Sequence, residues 1–175
     1  MPVKGPTILV TRKLTEDVEE RLRLEFDVLS GECGAVLTAD EIAARIGDAD
    51  AVCPTVADRI DGRLLAHAAG RLRLVANFGV GYNNVDIAVA RELGILVTNT
   101  PDVLTESTAD LAMTLLLMAA RRAGEGERLC RAGRWTGWEP RQLLGREVSG
   151  KTLGLVGFGR IARTVARRAH DGFGM

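Results

Sequence analysis

The sequence has no surplus of charge of either sign, since 23 Lys and Arg are matched by 23 Asp and Glu. Such a chain has no global field to draw it to DNA, RNA or an anionic lipid surface, so neither nucleic acid nor membrane is expected as a partner. A membrane-length apolar run is also missing. The longest nearly unbroken one, Leu111 to Ala120, is interrupted by Thr114 and bounded by Asp110 and Arg121-Arg122. As a helix it rises about 15 Å, half of a hydrocarbon core. Near the N-terminus only Ile8 to Val10 is apolar before Arg12-Lys13, too little for a secretory core, and a cytoplasmic protein is expected. Cysteine is scarce: Cys33, Cys53 and Cys130 are odd in number and far from any C-x-x-C or His-rich spacing, which excludes a disulfide framework and a zinc site.

What remains is the composition of a soluble folded chain, 46% hydrophobic and 26% charged, with 20 Gly and 5 Pro among 175 residues. Disorder is excluded as the main state. At about 150 residues per domain, the length suits one domain and the start of another.

From residue 7 to 100 short apolar runs alternate with helix-like stretches, the βαβα pattern of a parallel sheet. The expected strands are Ile8-Leu9-Val10, Phe26 to Leu29, Ala51-Val52-Cys53, Leu72 to Ala76 and Ile95-Leu96-Val97. Between them, Thr15 precedes acidic Glu16 and Asp17 at a helix start, and Thr38-x-x-Glu41 spells a capping box. Asp61 suits a third cap, and Asn84 with Asp86 can open a fourth helix that Gly94 stops. Ile42 and Ile46 give the second helix an apolar stripe. Past Pro101 the pattern becomes one long apolar helix, with Thr105 or Ser107 as its N-cap and burial expected on several faces. Residues 124 to 150 lose periodicity and carry both tryptophans, and read as an extended arm.

Thr152-Leu-Gly-Leu-Val reads as an apolar strand, and it runs into Gly157-Phe158-Gly159-Arg160-Ile161-Ala162. This is a G-x-G-x-x-A fingerprint, succeeded by a helix with Ile161, Val165 and Ala169 at i+4 steps. The first glycine permits the tight turn, the second lets a pyrophosphate approach the backbone, and Ala162 is small enough for helix to pack on sheet. Amides at the helix start would hold the phosphate. Arg160 reads as a cofactor-side or surface residue. The acidic residue that reads the ribose normally lies about 20 residues farther on, and NAD and NADP are not separated.

The runs Asn77-Phe-Gly-Val-Gly-Tyr-Asn-Asn-Val-Asp86, Thr98-Asn-Thr-Pro101, Thr108-Ala-Asp-Leu111, Gly133-Arg-Trp-Thr-Gly-Trp138 and Gly150-Lys-Thr-Leu-Gly-Leu-Val-Gly-Phe-Gly-Arg160 together resemble the D-isomer-specific 2-hydroxyacid dehydrogenases, with the glyoxylate/hydroxypyruvate reductase branch the most similar. The resemblance implies an α/β fold: a flavodoxin-like open parallel sheet over residues 1–100 as substrate domain, then, over 101–175, a connecting helix, a dimerisation arm and the truncated start of a Rossmann NAD(P)-binding domain. It implies hydride transfer between NAD or NADP and a small 2-keto or 2-hydroxy acid. The substrate carboxylate would rest on the amides of Val80 and Gly81 in the turn opened by Gly79. A glycine-bracketed turn at the carboxyl end of a parallel strand can aim several amides at one anion.

By the same resemblance, Gly157, Phe158, Gly159, Arg160 and Ile161 bind the cofactor, and Thr108 lies near its nicotinamide end. Trp135 and Trp138 lie in the segment that resembles the dimerisation arm, where they read as apolar interface contacts or, for Trp138, as a side chain that reaches a neighbouring subunit's substrate pocket and selects small acids. A homodimer is expected through residues 105–148. The family's carbonyl-polarising Arg and its Glu-His pair have no match here, so no catalytic residue is assigned, and the 175-residue chain alone is expected to be inactive. His67 and His170, the only histidines, read as surface or packing residues. Other readings are a non-catalytic fragment, a dimerising or dinucleotide-sensing module, or a relative acting on phosphoglycerate or formate. Leu153, Leu155, Val156, Ile161, Val165 and Phe173 are expected to lose burial for want of neighbouring strands, leaving the tail frayed or held by a partner.

Overall fold

A computed structural model describes residues 5–31 and 35–175, so Cys33 lies outside the described residues. The chain divides into two units, one ending at Pro101 and one spanning Asp102–Met175.

The first unit is built on β1 (Thr7–Val10), β2 (Asp27–Leu29), β3 (Ala51–Cys53), β4 (Leu74–Ala76) and β5 (Leu96–Thr98). All pairings are parallel, in the order β2-β1-β3-β4-β5. This is the doubly wound, flavodoxin-like order, in which the direction of winding reverses beside β1 and loops at the carboxyl edge part to leave a crevice. In register, Ile8 sits beside Val28 and Ala51, and Val75 beside Val52 and Val97. The connecting helices are α1 (Glu16–Glu25), α2 (Ala39–Ile46), α3 (Gly62–His67) and α4 (Ile87–Glu92).

Local chemistry sets these helices as the sequence leads one to expect. Thr38 accepts from the Glu41 amide while the Glu41 carboxylate accepts from the Thr38 amide. Asp61 and Asp86 accept from the amides of Leu64 and Val89. Gly94 closes the turn after α4 at φ +70°, which a side chain would resist. Thr15 departs from the pattern, since it stands at the N-cap of α1 without a side-chain cap bond to the helix backbone.

The core lies on one side of the sheet, where Leu9, Val52 and Val75 meet Ile42 and Ile46 of α2 and Leu65 of α3, all buried. Runs that are apolar at every position suggest cover on both faces. On the other face, Ile8, Ala51, Cys53, Leu74 and Ala76 of the sheet line, with Val18 and Leu22 of α1, a cavity of about 520 Å³. Leu96 on β5 is 70% exposed. Burial raises the pKa of the Cys53 thiol, which disfavours the reactive thiolate.

The second unit contains α5 (Thr105–Arg121), α6 (Ala123–Arg131) and α7 (Arg160–Phe173). Ala109 and Met113 of α5 pack on Val165 and Ala169 of α7, flanked by Leu153, Ile161 and Phe173. Arg168 ties the same helices together through Glu106 at 2.7 Å and Asp110 at 3.1 Å.

The second unit departs from the sequence expectations at several points. Residues 123–131 form a helix, separated from α5 by Arg122 in the left-handed region at φ 54°; the extended arm is therefore confined to the stretch beyond Arg131. The N-cap of α5 is Leu104 rather than Thr105 or Ser107, and the Ser107 hydroxyl instead donates to the Leu104 carbonyl at 3.2 Å. Only Ala109 and Met113 of α5 are buried, while Leu111 is 57% and Leu115 56% exposed. Residues 152–156 form no strand among the described residues, because a strand exists only through a paired neighbour. Val165 keeps its burial by packing on α5, so the tail has a partner within its own unit and the loss of cover falls on Leu155, Val156 and Phe158.

Candidate functional site

At the carboxyl edge of the first unit, β4 runs into Asn77-Phe78-Gly79-Val80-Gly81-Tyr82. Three successive carbonyls of this turn are held. The Thr100 amide donates to the Gly79 oxygen at 3.0 Å, Asn99 Nδ2 to the Val80 oxygen at 2.9 Å, and Asn77 Nδ2 to the Gly81 oxygen at 2.8 Å. In a trans peptide the carbonyl and the next residue's N–H point in opposite directions. Holding these oxygens therefore turns the N–H groups of Val80, Gly81 and Tyr82 away from their anchors, and none of the three donates to a protein acceptor among the described residues.

The glycines fit this use in different ways. A Cβ on Gly79 would lie 2.2 Å from Val56 Cγ1, whereas one on Gly81 would meet nothing within 4 Å. No contact in this chain demands glycine at 81, and the space a side chain would take there is open.

Behind the turn lies a polar cluster joining the ends of β1, β3 and β4. Asn84 Nδ2 shares its hydrogens among Asn77 Oδ1 at 2.9 Å and the carbonyls of Thr55 and Asp58, each at 3.1 Å. Asn84 Oδ1 is buried without a partner among the described residues. Thr55 donates through both its amide, at 2.8 Å, and its hydroxyl, at 2.9 Å, to Asp58 Oδ2, which also accepts from the Thr11 hydroxyl at 2.8 Å. Arg12 Nη2 closes on Asp58 Oδ1 at 2.9 Å. Burial alone would raise the pKa of Asp58, but the Arg12 guanidinium, the Thr55 amide and the Thr11 and Thr55 hydroxyls outweigh it, and the carboxyl ionises below its ordinary range.

In the second unit, Gly157 has φ +86°, a conformation that requires glycine. Gly159 is the N-cap of α7, and the next bond along the helix runs from the Arg163 amide to the Gly159 carbonyl at 3.0 Å. The amides of Arg160, Ile161 and Ala162 are the unpaired donors of a helix start. A Cβ on Gly159 would meet nothing within 4 Å. Arg160 is exposed and pairs with Asp102 at 2.9 Å. Thr108 lies in the first turn of α5, half-buried, and its hydroxyl makes no hydrogen bond among the described residues. Trp138 is 80% exposed, and Trp135 Nε1 donates to Gln142 at 3.3 Å. His67 and His170 lie on α3 and α7, with His170 Nδ1 3.2 Å from the Met175 carbonyl oxygen. Among the described residues no group of His, Cys, Asp and Glu is placed to hold a metal ion, and no helix is long and apolar enough to cross a membrane.

The spacing of glycines points to Gly79, Gly81, Gly157 and Gly159, but sequence reasoning misses Arg12, Asp58 and Asn99, and takes Asn84 for a helix cap. An Asp three residues after a Thr carries no distinctive signal, and the partners of Asn99 and Asp58 lie 19 and 47 residues away.

A profile of the catalytic domain of D-isomer specific 2-hydroxyacid dehydrogenases matches residues 8–171. The chain belongs to this family. Among curated members, it is 44% identical over 174 residues to a glyoxylate reductase of Thermococcus onnurineus, covering 97% of this chain and 52% of that protein. Among solved structures of such dehydrogenases, an NADPH-dependent glyoxylate/hydroxypyruvate reductase of Sinorhizobium meliloti, in complex with NADP and malonate, superposes with a TM-score of 0.79 at 38% identity, over 97% of this chain and 51% of that one. A Thermus thermophilus protein superposes with a TM-score of 0.86 at 46% identity, over 97% and 54%. The chain thus spans about half the length of the curated dehydrogenases it matches.

Proposed function

We propose that this chain carries the substrate-carboxylate turn and the first dinucleotide-binding turn of an NAD- or NADP-dependent reductase of glyoxylate or hydroxypyruvate. The observation that carries the reading is the set of N–H groups at Val80, Gly81 and Tyr82, left without acceptors among the described residues while the carbonyls of Gly79, Val80 and Gly81 are held. Such donors suit a carboxylate, because each forms a charge-assisted bond without a buried cation. The names of the relatives, glyoxylate reductases, support a small 2-keto or 2-hydroxy acid over phosphoglycerate or formate.

The second unit suits a dinucleotide. Gly157 makes the turn, Gly159 leaves open the space where a pyrophosphate would approach, and the amides of Arg160 and Ile161 at the start of α7 would hold its charge. Phe158 lies in the same turn, and Thr108 would face the nicotinamide end. A bound nicotinamide supplies the hydride. The chain's own part is to bind and orient: the turn after β4 fixes the acid by its carboxylate, and Trp138 would limit acid size from a neighbouring copy.

On this reading residues 1–100 serve as substrate domain, and 101–175 as connecting helix, dimerisation arm and first βα unit of the NAD(P)-binding domain. Exposed Leu111, Leu115, Trp135 and Trp138 favour a homodimer through residues 105–148. No residue of the chain is assigned to polarise the carbonyl or move the proton, so the chain alone is expected to show no glyoxylate-dependent oxidation of NADH or NADPH. The test is a two-dimensional ¹⁵N–¹H titration. Glycolate should shift the amides of Val80 and Gly81, and NADH or NADPH those of residues 157–161. Shifts confined to other regions would refute the reading, and the tighter of the two dinucleotides identifies the cofactor.

A further inference from the structure

We infer that Asn77 and Asn99, with Asn84 behind Asn77, are positioning residues that keep the turn after β4 in its donor-out state. The inference rests on the reading of that turn as the carboxylate site and adds to it the side chains that hold its three donors in place.

The glycines make the turn reversible. Rotating a peptide unit about its two flanking bonds exchanges its N–H for its carbonyl, and glycine at either end removes most of the steric resistance. Gly79 precedes the 79–80 peptide, Gly81 closes the 80–81 peptide, and Gly81 precedes the 81–82 peptide. Each of the three units can therefore turn over, and each would then offer an anion an oxygen instead of a hydrogen. A Cβ on Gly81 would meet nothing within 4 Å, so no packing against that position adds to the restraint. The restraint falls on the donors that hold the carbonyls: the Thr100 amide on Gly79, Asn99 Nδ2 on Val80 and Asn77 Nδ2 on Gly81.

The direction of the Asn77 amide is dictated in turn. Backbone carbonyls only accept, so the carbonyls of Thr55 and Asp58 oblige Asn84 to present its NH₂ group to them. The same NH₂ reaches Asn77, which must answer with its oxygen, and the Asn77 NH₂ is left for the Gly81 carbonyl. Two side-chain amides thus connect the loop beyond β3 to the far end of the turn. Asn84 Oδ1, buried without a partner among the described residues, is the cost of turning the Asn84 NH₂ group toward three acceptor oxygens.

Asn99→Leu removes the donor to the Val80 carbonyl while keeping the same branched side-chain skeleton, and adds no charge. Asn99 is half-buried, so the variant should fold with an unchanged melting midpoint. Its affinity for glycolate should fall about tenfold, the loss expected for one charge-assisted bond, and the glycolate-induced shift of the Gly81 amide should disappear. Asn77→Asp keeps the acceptor toward Asn84 but faces the Gly81 carbonyl with an oxygen, and should remove the Tyr82 shift in the same way. Asn77 is 1% exposed; if this variant fails to fold, Asn99→Leu decides alone. Wild-type shifts at Val80 and Gly81 together with undiminished glycolate binding by Asn99→Leu would overturn the inference and leave the carboxylate site standing. Absence of those shifts in the wild-type chain would overturn the site itself.

Discussion

The Thr11 hydroxyl donates to the Asp58 carboxylate at 2.8 Å, a buried bond between the end of β1 and the loop beyond β3. The two strands are neighbours, and their loops diverge at the point where the winding of the sheet reverses. Asp58 gathers donors from both: Thr11 and Arg12 from one, Thr55 from the other. Asp58→Ala should cost about 2 to 4 kcal/mol, because buried donors lose a charged acceptor. Chemical denaturation of the variant and parent chains measures it.

The same carboxylate gives the chain an acid-side dependence. Its pKa in the folded state lies below the ordinary value of 3.8, so the unfolded chain takes up its proton first as pH falls. The stabilisation is complete above the unfolded value and drains away as pH drops through the lowered folded one. Thermal midpoints of the parent should decline on acidification below about pH 4, and Asp58→Asn should flatten that decline. Parallel curves for the two chains would contradict the assignment.

Gly81 and Gly79 should respond differently to alanine. Space around Gly81 is open, while a methyl group on Gly79 must displace Val56. Gly81→Ala is expected to leave stability within about 0.5 kcal/mol but to weaken glycolate binding, and Gly79→Ala to lower stability as well. Melting curves and glycolate titrations of both variants make the comparison.

A similar contrast applies in the second unit. Gly157→Ala places a side chain at φ +86° and should cost about 1 to 2 kcal/mol. A Cβ at Gly159 has no other atom of the chain within 4 Å, so the fold should survive Gly159→Val, yet the side chain fills the space proposed for the pyrophosphate. Fluorescence titration with NADH and NADPH should show binding lost in Gly159→Val at an unchanged melting midpoint.

Packing between α5 and α7 rests on few side chains. Met113 is buried against the pair formed by Val165 and Ala169, and Met113→Ala should cost about 2 to 3 kcal/mol. Since the first unit has its own core, the loss should register as faster amide hydrogen exchange in α7, with β1, β3 and β4 unaffected.

Alternation of apolar runs with capped helical stretches determines the parallel sheet of the first unit, because a run such as Ile8-Leu9-Val10 between Gly- and Thr-marked boundaries has few other stable arrangements. Gly157 and Gly159 likewise declare themselves, since their backbone conformation and bareness are local properties. Tertiary structure alone decided which donors of the turn after β4 stay free. That depends on where Asn99 and Thr100 lie after β5 and on which way Asn84 turns Asn77, relations no local pattern encodes. It also decided that residues 152–156 remain unpaired and that Leu111 and Leu115 face outward, because ladder bonds and burial are supplied by neighbours rather than by the segment itself.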